Sequence, residues 1–189
     1  MNTYKVGYLV GSLATASINR RLAMALVRLA PPQLELEEIP IRDLPLYSYD
    51  YDSNYPEVAV KFKQAIIDSD AVLFVSPEYN RSIPGGLKNA IDWASRPHGK
   101  NAFTHKPSAV IGASIGKVGT AVAQQQLRIV LGYCNSPQMG AVEAYIQFTK
   151  EMIDDKHQVT DDSTRKFLTK FMSEFQTFVV RACTAPSRD

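Results

Sequence analysis

The strongest constraint on the fold is a regular alternation of short apolar runs with segments of helical periodicity. The apolar runs predict five strands, at residues 4–10, 34–39, 71–75, 108–113 and 139–146. Apolar residues spaced three or four apart predict helices around residues 22–30, 58–66, 87–94, 120–131 and 167–179. The run at 71–75 is apolar throughout, which is typical of a central strand covered on both faces.

This alternation predicts an α/β fold in which helices cover both faces of a parallel sheet, because each parallel connection needs a right-handed crossover. For five strands we expect the flavodoxin-like three-layer sandwich with strand order 2-1-3-4-5. The length of 189 residues predicts a single domain over 1–189. Ligands of such sheets bind beyond the carboxyl ends of the strands, which here lead into loops at 11–20, 76–86 and 112–119.

The first loop carries Ser12, Thr15, Ser17 and Asn19 immediately before a helix. The N-terminus of a helix presents unpaired N–H groups that suit a phosphate. The P-loop and dinucleotide motifs are both missing after the first strand, which favours a terminal monophosphate such as that of FMN. The same side chains are good helix caps, so this pattern alone is equally consistent with a capped helix start.

The second loop combines two prolines that fix the backbone with two glycines that permit close approach of a flat ligand. Rigid N–H donors suit a redox ring whose charge changes during the reaction. Tyr79 and Asn80 are candidates to line such a ring, although an ordinary strand-to-helix turn gives the same pattern.

The third loop places Ser114, Gly116 and Gly119 before a helix, so its backbone can pack against the outer edge of a flat ring. Lys117 in this loop has the charge to attract the phosphate of a nicotinamide cofactor, and we interpret it as a solvated surface lysine.

At this point the sequence resembles a known family. The segment from Ser76 to Trp93 reads SPEYNRSIPGGLKNAIDW, and the first loop reads GS-x4-S-x-N. Together with DLPLY at 43–47, GAS at 112–114 and GT at 119–120, these motifs resemble the NADPH-dependent FMN reductase family, in particular its chromate and quinone reductases. The resemblance covers roughly residues 6–131.

The resemblance implies a flavodoxin-like fold that binds FMN non-covalently, with the chemistry on the flavin and no catalytic side chain. The implied phosphate ligands are Ser12, Ser17 and Asn19. The implied neighbours of the isoalloxazine ring are Pro77, Glu78, Tyr79 and Asn80, through their backbone, and Ser114 and Gly116 on the opposite loop.

One position departs from the family pattern. Relatives often carry arginine where this chain has Ala14, so either Arg20 substitutes as a phosphate ligand or FMN binds more weakly.

The activity implied by the resemblance is ping-pong hydride transfer. NADPH or NADH would stack on the flavin and deliver hydride to N5, and a quinone, chromate or free flavin would then take the same place. The alternative is a flavodoxin-type electron carrier without its own substrate site. Such carriers are usually markedly acidic, and a net charge of +2 argues against one. That charge is also too small to indicate a nucleic-acid binder.

The N-terminus partly resembles a secretory signal, because the uncharged stretch 6–19 contains small residues at 14–16. Glycines interrupt its apolar part and it turns polar at Ser12, so we interpret it as a core strand and expect a cytoplasmic protein. No stretch reaches the ~18 apolar residues of a membrane span, so no membrane partner is expected. Cys134 and Cys183 are expected to pack as free thiols, and no metal site is expected.

Two further segments have both a packing and a functional interpretation. Tyr47, Tyr49, Tyr51 and Tyr55 either wall an aromatic pocket or pack their own loop, and we favour packing. The uncharged run 129–142 is typical of a buried fifth strand with its preceding helix. In the family it resembles an oligomer interface, which implies a homodimer or homotetramer.

Overall fold

The computed structural model describes residues 2–185, and it contains the predicted succession of strands and helices. The strands are β1 (Tyr4–Val10), β2 (Leu34–Glu38), β3 (Ala71–Val75), β4 (Ser108–Ser114) and β5 (Tyr145–Gln147). The helices are α1 (Ile18–Leu29), α2 (Glu57–Ile67), α3 (Gly85–Ser95), α4 (Ala121–Tyr133) and α5 (Asp162–Thr184), with a 3-10 turn at Tyr49–Tyr51.

The strands form one parallel sheet of order β2-β1-β3-β4-β5, which confirms the predicted flavodoxin-like topology. In the central register Leu9 lies beside Phe74, and Phe74 lies beside Val110. Because all strands run the same way, their carboxyl ends meet at one edge of the sheet. The order reverses at β1 and β3, so this edge has its switch point between those two strands.

Helices cover both faces of the sheet. Successive side chains of a strand point to opposite faces, and accordingly Tyr8 and Leu9 belong to different core clusters. One cluster contains buried residues of α1 and α5, and the other contains buried residues of α2, α3 and α4. The apolar stripe that predicts α5 is buried at Leu168, Phe171, Phe175 and Val179.

The predicted fifth strand is present, but its predicted bounds of 139–146 are wrong, because β5 contains only Tyr145–Gln147. Gln138 forms a single parallel bridge with Ser108, and Met139 donates its N–H to the Ser108 carbonyl at 2.9 Å. The chain then leaves the sheet, and Val142 adopts a left-handed φ of 63° that interrupts an extended run.

Helix α1 begins at Ile18, four residues before the first apolar position of its predicted face, because Ser17 caps it. This start places the polar residues of the first loop directly at the helix N-terminus. Among residues 2–185, the helices lack the combination of length and apolar character that a membrane span requires.

Candidate functional site

The loops that follow β1 and β3 touch at the carboxyl edge of the sheet. The hydroxyl oxygens of Ser12 and Tyr79 are 3.4 Å apart. Ser12 is buried, whereas 49% of Tyr79 is exposed, so the tyrosine stands at the rim of the site. The structure therefore brings together a candidate phosphate ligand and a candidate neighbour of the ring.

The first loop presents a group of hydrogen-bond donors. Within residues 2–185, the backbone N–H groups of Leu13, Thr15 and Ala16 find no acceptor, and these residues are exposed. The Ser17 hydroxyl oxygen accepts from the Arg20 N–H at 3.2 Å and caps α1. A hydroxyl that accepts in this way keeps its own proton for donation. The loop therefore has the neutral donors and the helix N-terminus that a phosphate monoester requires.

Asn19 has a different environment from the one predicted for a phosphate ligand. Its side chain is 1% exposed and exchanges two hydrogen bonds, each 2.9 Å long, with the backbone of Ala113 in β4. The amide therefore joins α1 to the sheet. The phosphate role predicted for Asn19 remains a prediction. Because the side-chain amide is occupied, that role would fall to the backbone N–H of Asn19.

Arg20 is already paired. Its Nη1 lies 2.8 Å and 2.7 Å from the two carboxylate oxygens of Glu38, at the end of β2. The hydrogen bond to Glu38 raises the pKa of Arg20 above its ordinary value, with desolvation acting in the opposite direction. That Arg20 binds the phosphate in place of the arginine that relatives often carry at position 14 remains a prediction. Its guanidinium already forms an ion pair with Glu38.

The second loop contains a tight type I′ turn. Tyr79 and Ser82 exchange backbone hydrogen bonds of 3.2 Å and 2.9 Å around the two central residues. Those residues, Asn80 and Arg81, have φ angles of 52° and 61°, as this turn requires. Asparagine tolerates the left-handed region, but arginine adopts it rarely. Residues held in sparsely populated backbone conformations cluster at ligand sites, where the surrounding structure fixes them.

Helix α4 holds this turn from two sides. The Glu78 carboxylate accepts from the Ala123 N–H at 3.0 Å and from Arg81 Nη1 at 3.1 Å, and its side chain is 6% exposed. Gln126 donates to the Arg81 carbonyl at 3.0 Å and accepts from the Ser82 hydroxyl at 2.6 Å. The Glu78 side chain is thus occupied, which leaves the backbone of this residue to border a ring.

Gln126 is a positioning residue that the sequence analysis missed. Its role depends on a contact between a helix and a distant loop, and no local motif marks it.

The third loop is fixed at its base and open at its tip. A Cβ at Gly112 would lie 2.0 Å from the Ser76 carbonyl oxygen, so only glycine permits β3 and β4 to approach this closely. At the tip, the Gly116 N–H donates to the Ser114 hydroxyl at 3.2 Å. Ile115 and Val118 are 79% and 49% exposed, so they form an apolar rim on this side.

A family model described as NADPH-dependent FMN reductase matches residues 4–151, which include all three loops. The chain belongs to the NADPH-dependent FMN reductase family. This confirms the resemblance on which the site assignments depend.

Individual members of the family resemble the chain along nearly its whole length. It is 48% identical over 175 residues to a 2-hydroxy-1,4-benzoquinone reductase from a Burkholderia species, with 93% of this chain and 96% of that protein covered. It is 45% identical to a quinone reductase from Pseudomonas putida, covering 93% and 95%. Among solved structures, the FerB NAD(P)H:(acceptor) oxidoreductase from Paracoccus denitrificans superposes with a TM-score of 0.92 at 43% identity, covering 95% and 99%.

FMN, which the name of the family includes, fits the geometry of this site. The unpaired N–H groups and hydroxyls of the first loop are suited to its monophosphate. A Cβ at Gly116 would meet only the Ser114 hydroxyl oxygen, at 3.6 Å, so the backbone of the third loop is open to a flat ring at this point.

The tyrosines before α2 lie against Trp93. The ring centroids of Tyr47, Tyr51 and Tyr55 are 5.1, 5.4 and 5.0 Å from that of Trp93. Burial, with a hydrogen bond to Asp52, raises the pKa of Tyr47 to about 12. For these three tyrosines the geometry agrees with the interpretation as loop packing, whereas Tyr49 is 78% exposed.

Two other features lie outside the three loops. A cavity of about 720 Å³ between β2 and α2 is lined by charged and apolar residues that include Glu35, Lys61 and Phe62. Cys134 is buried, which raises the pKa of its thiol. Cys183 is exposed, so the expectation that it packs is wrong. In the described range 2–185, no three His, Cys, Asp or Glu side chains converge as a metal site requires.

Proposed function

We propose that the protein is an FMN-dependent NAD(P)H oxidoreductase that reduces quinones. The observation that carries this proposal is the 48% identity, over 93% of the chain, to a protein named 2-hydroxy-1,4-benzoquinone reductase. The convergence of the first two loops at Ser12 and Tyr79 supports it, because a flavin needs its phosphate and ring ligands on one edge.

The first loop holds the phosphate. The hydroxyls of Ser12 and Ser17 donate to its oxygens, together with the N–H groups of the exposed residues between them. The N-terminus of α1 adds a partial positive charge. These donors are neutral, which fits a chain whose net charge is only +2.

The second and third loops hold the ring. The chemistry that FMN would supply when bound here is two-electron transfer from NAD(P)H to a quinone. The backbone of Pro77, Glu78, Tyr79 and Asn80 would hold the ring from the second loop, and Ser114 with Gly116 would hold it from the third. Glu78 and Gln126 keep the turn rigid, so that its donors stay in place when the charge of the ring changes.

The rim of the site receives the substrates. Exposed Tyr79, Ile115 and Val118 provide aromatic and apolar surface for a nicotinamide or a quinone, both of which are flat. The same rim would receive the donor and the acceptor in turn. Such a face tolerates several acceptors, and we include chromate and free flavin among those to be tested.

We also propose that the protein functions as a homodimer or homotetramer. Val122, Ile129 and Tyr133 share one face of α4 and are 37%, 74% and 86% exposed. Contiguous exposed apolar surface of this kind marks interfaces. We propose that a second copy of the chain covers this face of α4. The uncharged run 129–142 begins on the same face, at Ile129, and continues along the chain beyond it. We also assign the protein to the cytoplasm, where free thiols persist.

The test begins with the purified protein and its chromophore. Denaturation should release FMN, identified by chromatography, and the holoprotein should oxidise NADPH or NADH with a quinone and no added reductase. Initial rates with both donors over quinones, chromate and free FMN then rank the acceptors. A colourless protein that cannot be reconstituted with FMN would contradict the proposal, as would a flavoprotein that only a separate reductase can reduce.

A further inference from the structure

Arg42, in the loop after β2, contacts the first loop of the site. Its Nη2 donates a hydrogen bond to the carbonyl oxygen of Leu13. Arg42 is exposed, and it lines a cavity of about 150 Å³ together with Ser12, Leu13 and Arg20. An arginine from another part of the chain therefore lies against the loop that is proposed to hold the FMN phosphate.

The charge of Arg42 is not neutralised by an ion pair. The loop itself, residues 11–17, contains no lysine or arginine. The neighbouring Arg20 is paired with Glu38. Within residues 2–185, Arg42 has no carboxylate oxygen within 4.0 Å of its nitrogens. Glu38 and Asp43 also line this cavity, but Glu38 is paired with Arg20 and neither carboxylate forms an ion pair with Arg42, so the charge of Arg42 remains available to an anion.

The contact also orients the backbone of the loop. In a planar trans peptide, the carbonyl of one residue and the N–H of the next point in opposite directions. Because Arg42 holds the Leu13 carbonyl on its own side, the Ala14 N–H points the other way. In agreement, the Ala14 nitrogen lies 3.4 Å from the Ser12 hydroxyl oxygen. Arg42 thus helps to direct a donor of the loop towards the buried serine.

We propose that Arg42 is a phosphate-recognition residue of this chain, which orients the Leu13–Ala14 peptide and supplies the positive charge that the loop lacks. This rests on the proposed function, since the anion is the FMN phosphate. The position occupied by Ala14 has only a methyl group to offer, so the charge comes from the loop after β2 and not from the loop after β1.

The test compares FMN with riboflavin, which has the same ring and no phosphate. The full chain is freed of flavin, and the dissociation constants of both flavins are measured by fluorescence titration. We expect Arg42→Ala to raise the dissociation constant for FMN about tenfold, as for loss of one charge-assisted hydrogen bond, and to leave that for riboflavin unchanged. The difference in FMN affinity between wild type and Arg42→Ala should become smaller at high salt, because salt screens an exposed charge.

Two variants separate the two roles of Arg42. Arg42→Lys keeps the charge without the planar fork, and Arg42→Gln keeps a donor for the Leu13 carbonyl without the charge. The control is Arg28→Ala, because Arg28 is also exposed and also donates to a backbone carbonyl, that of Lys156 at 2.8 Å, at the other end of α1. Thermal unfolding of each variant verifies that it is folded.

The outcomes distinguish this inference from the proposed function. Wild-type protein that binds FMN while Arg42→Ala binds it equally well overturns the role of Arg42 alone. If Arg42→Ala weakens the binding of FMN and of riboflavin equally, the role of Arg42 is also overturned, because the effect then does not involve the phosphate. Wild-type protein that fails to bind FMN overturns the proposed function itself.

Discussion

The side-chain amide of Asn19 and the backbone of Ala113 form a reciprocal pair of hydrogen bonds, each 2.9 Å long and fully buried. One bond satisfies the Ala113 carbonyl and the other its N–H, next to the point where β4 leaves the sheet. The pair therefore ties the N-terminus of α1 to the base of the third loop. The two parts of the candidate site that would hold the phosphate and the ring edge are joined through this amide.

Asn19→Ala should lower the free energy of unfolding by about 2–4 kcal/mol, because two buried backbone groups lose their partners. Urea denaturation measures the difference. Asn54→Ala is the control, since Asn54 is exposed and its side chain makes no hydrogen bond within residues 2–185. A loss of less than about 1 kcal/mol for Asn19→Ala would show that water replaces the amide.

Ser17→Asp should separate helix capping from phosphate binding. Aspartate caps a helix as well as serine does, so the stability should change little. Its negative charge, however, would lie beside the phosphate and should weaken FMN binding at least about tenfold, while riboflavin binding is unchanged. Equilibrium titration of the two flavins measures this. Unchanged FMN affinity would place the phosphate elsewhere.

Gln126→Ala should loosen the turn at 79–82, because Gln126 bonds both the Arg81 carbonyl and the Ser82 hydroxyl. Limited digestion with trypsin, followed by mass spectrometry, should show faster cleavage after Arg81. Gln125→Ala is a matched control on the same helix, since Gln125 bonds Glu143 and Tyr145 instead. Equal cleavage rates in the two variants would mean that Gln126 does not restrain the turn.

The strand order and the three loops follow from the sequence because they depend on local periodicity and on where apolar runs end. The end of a strand fixes which residues lie at the carboxyl edge, so the sequence predicts Ser12 and Tyr79 on the same edge. Their contact distance of 3.4 Å is consistent with that expectation. The family motif adds the flavin to this arrangement, which periodicity alone does not.

The partners of individual side chains do not follow from the sequence. Arg20 and Glu38 are 18 residues apart, and Glu78 and Ala123 are 45 apart, so only the packed fold brings each pair together. The overlong fifth strand has a similar cause. The run 139–146 is largely apolar, but its extended course is interrupted by the left-handed backbone of Val142.

Asp161→Asn should remove a pH-dependent part of the stability. Hydrogen bonds from Ser163 and Thr164 lower the pKa of Asp161 from 3.8 to about 2. A carboxylate whose pKa is depressed on folding stabilises the protein above its unfolded pKa, and this is lost as the pH falls through the folded pKa. The difference in urea midpoint between wild type and Asp161→Asn should therefore shrink between pH 3.8 and about 2. A constant difference would contradict this.

Ile129→Lys should dissociate the proposed oligomer. Ile129 is 74% exposed on α4, at the centre of the apolar face formed with Val122 and Tyr133. Burying a lysine charge in an interface without a partner is unfavourable, so light scattering should report a smaller particle than for wild type. Val60→Lys is the control, because Val60 is 50% exposed on α2 and lies outside that face. If both variants keep the mass of the wild-type particle, copies of the chain associate through another surface or remain monomeric.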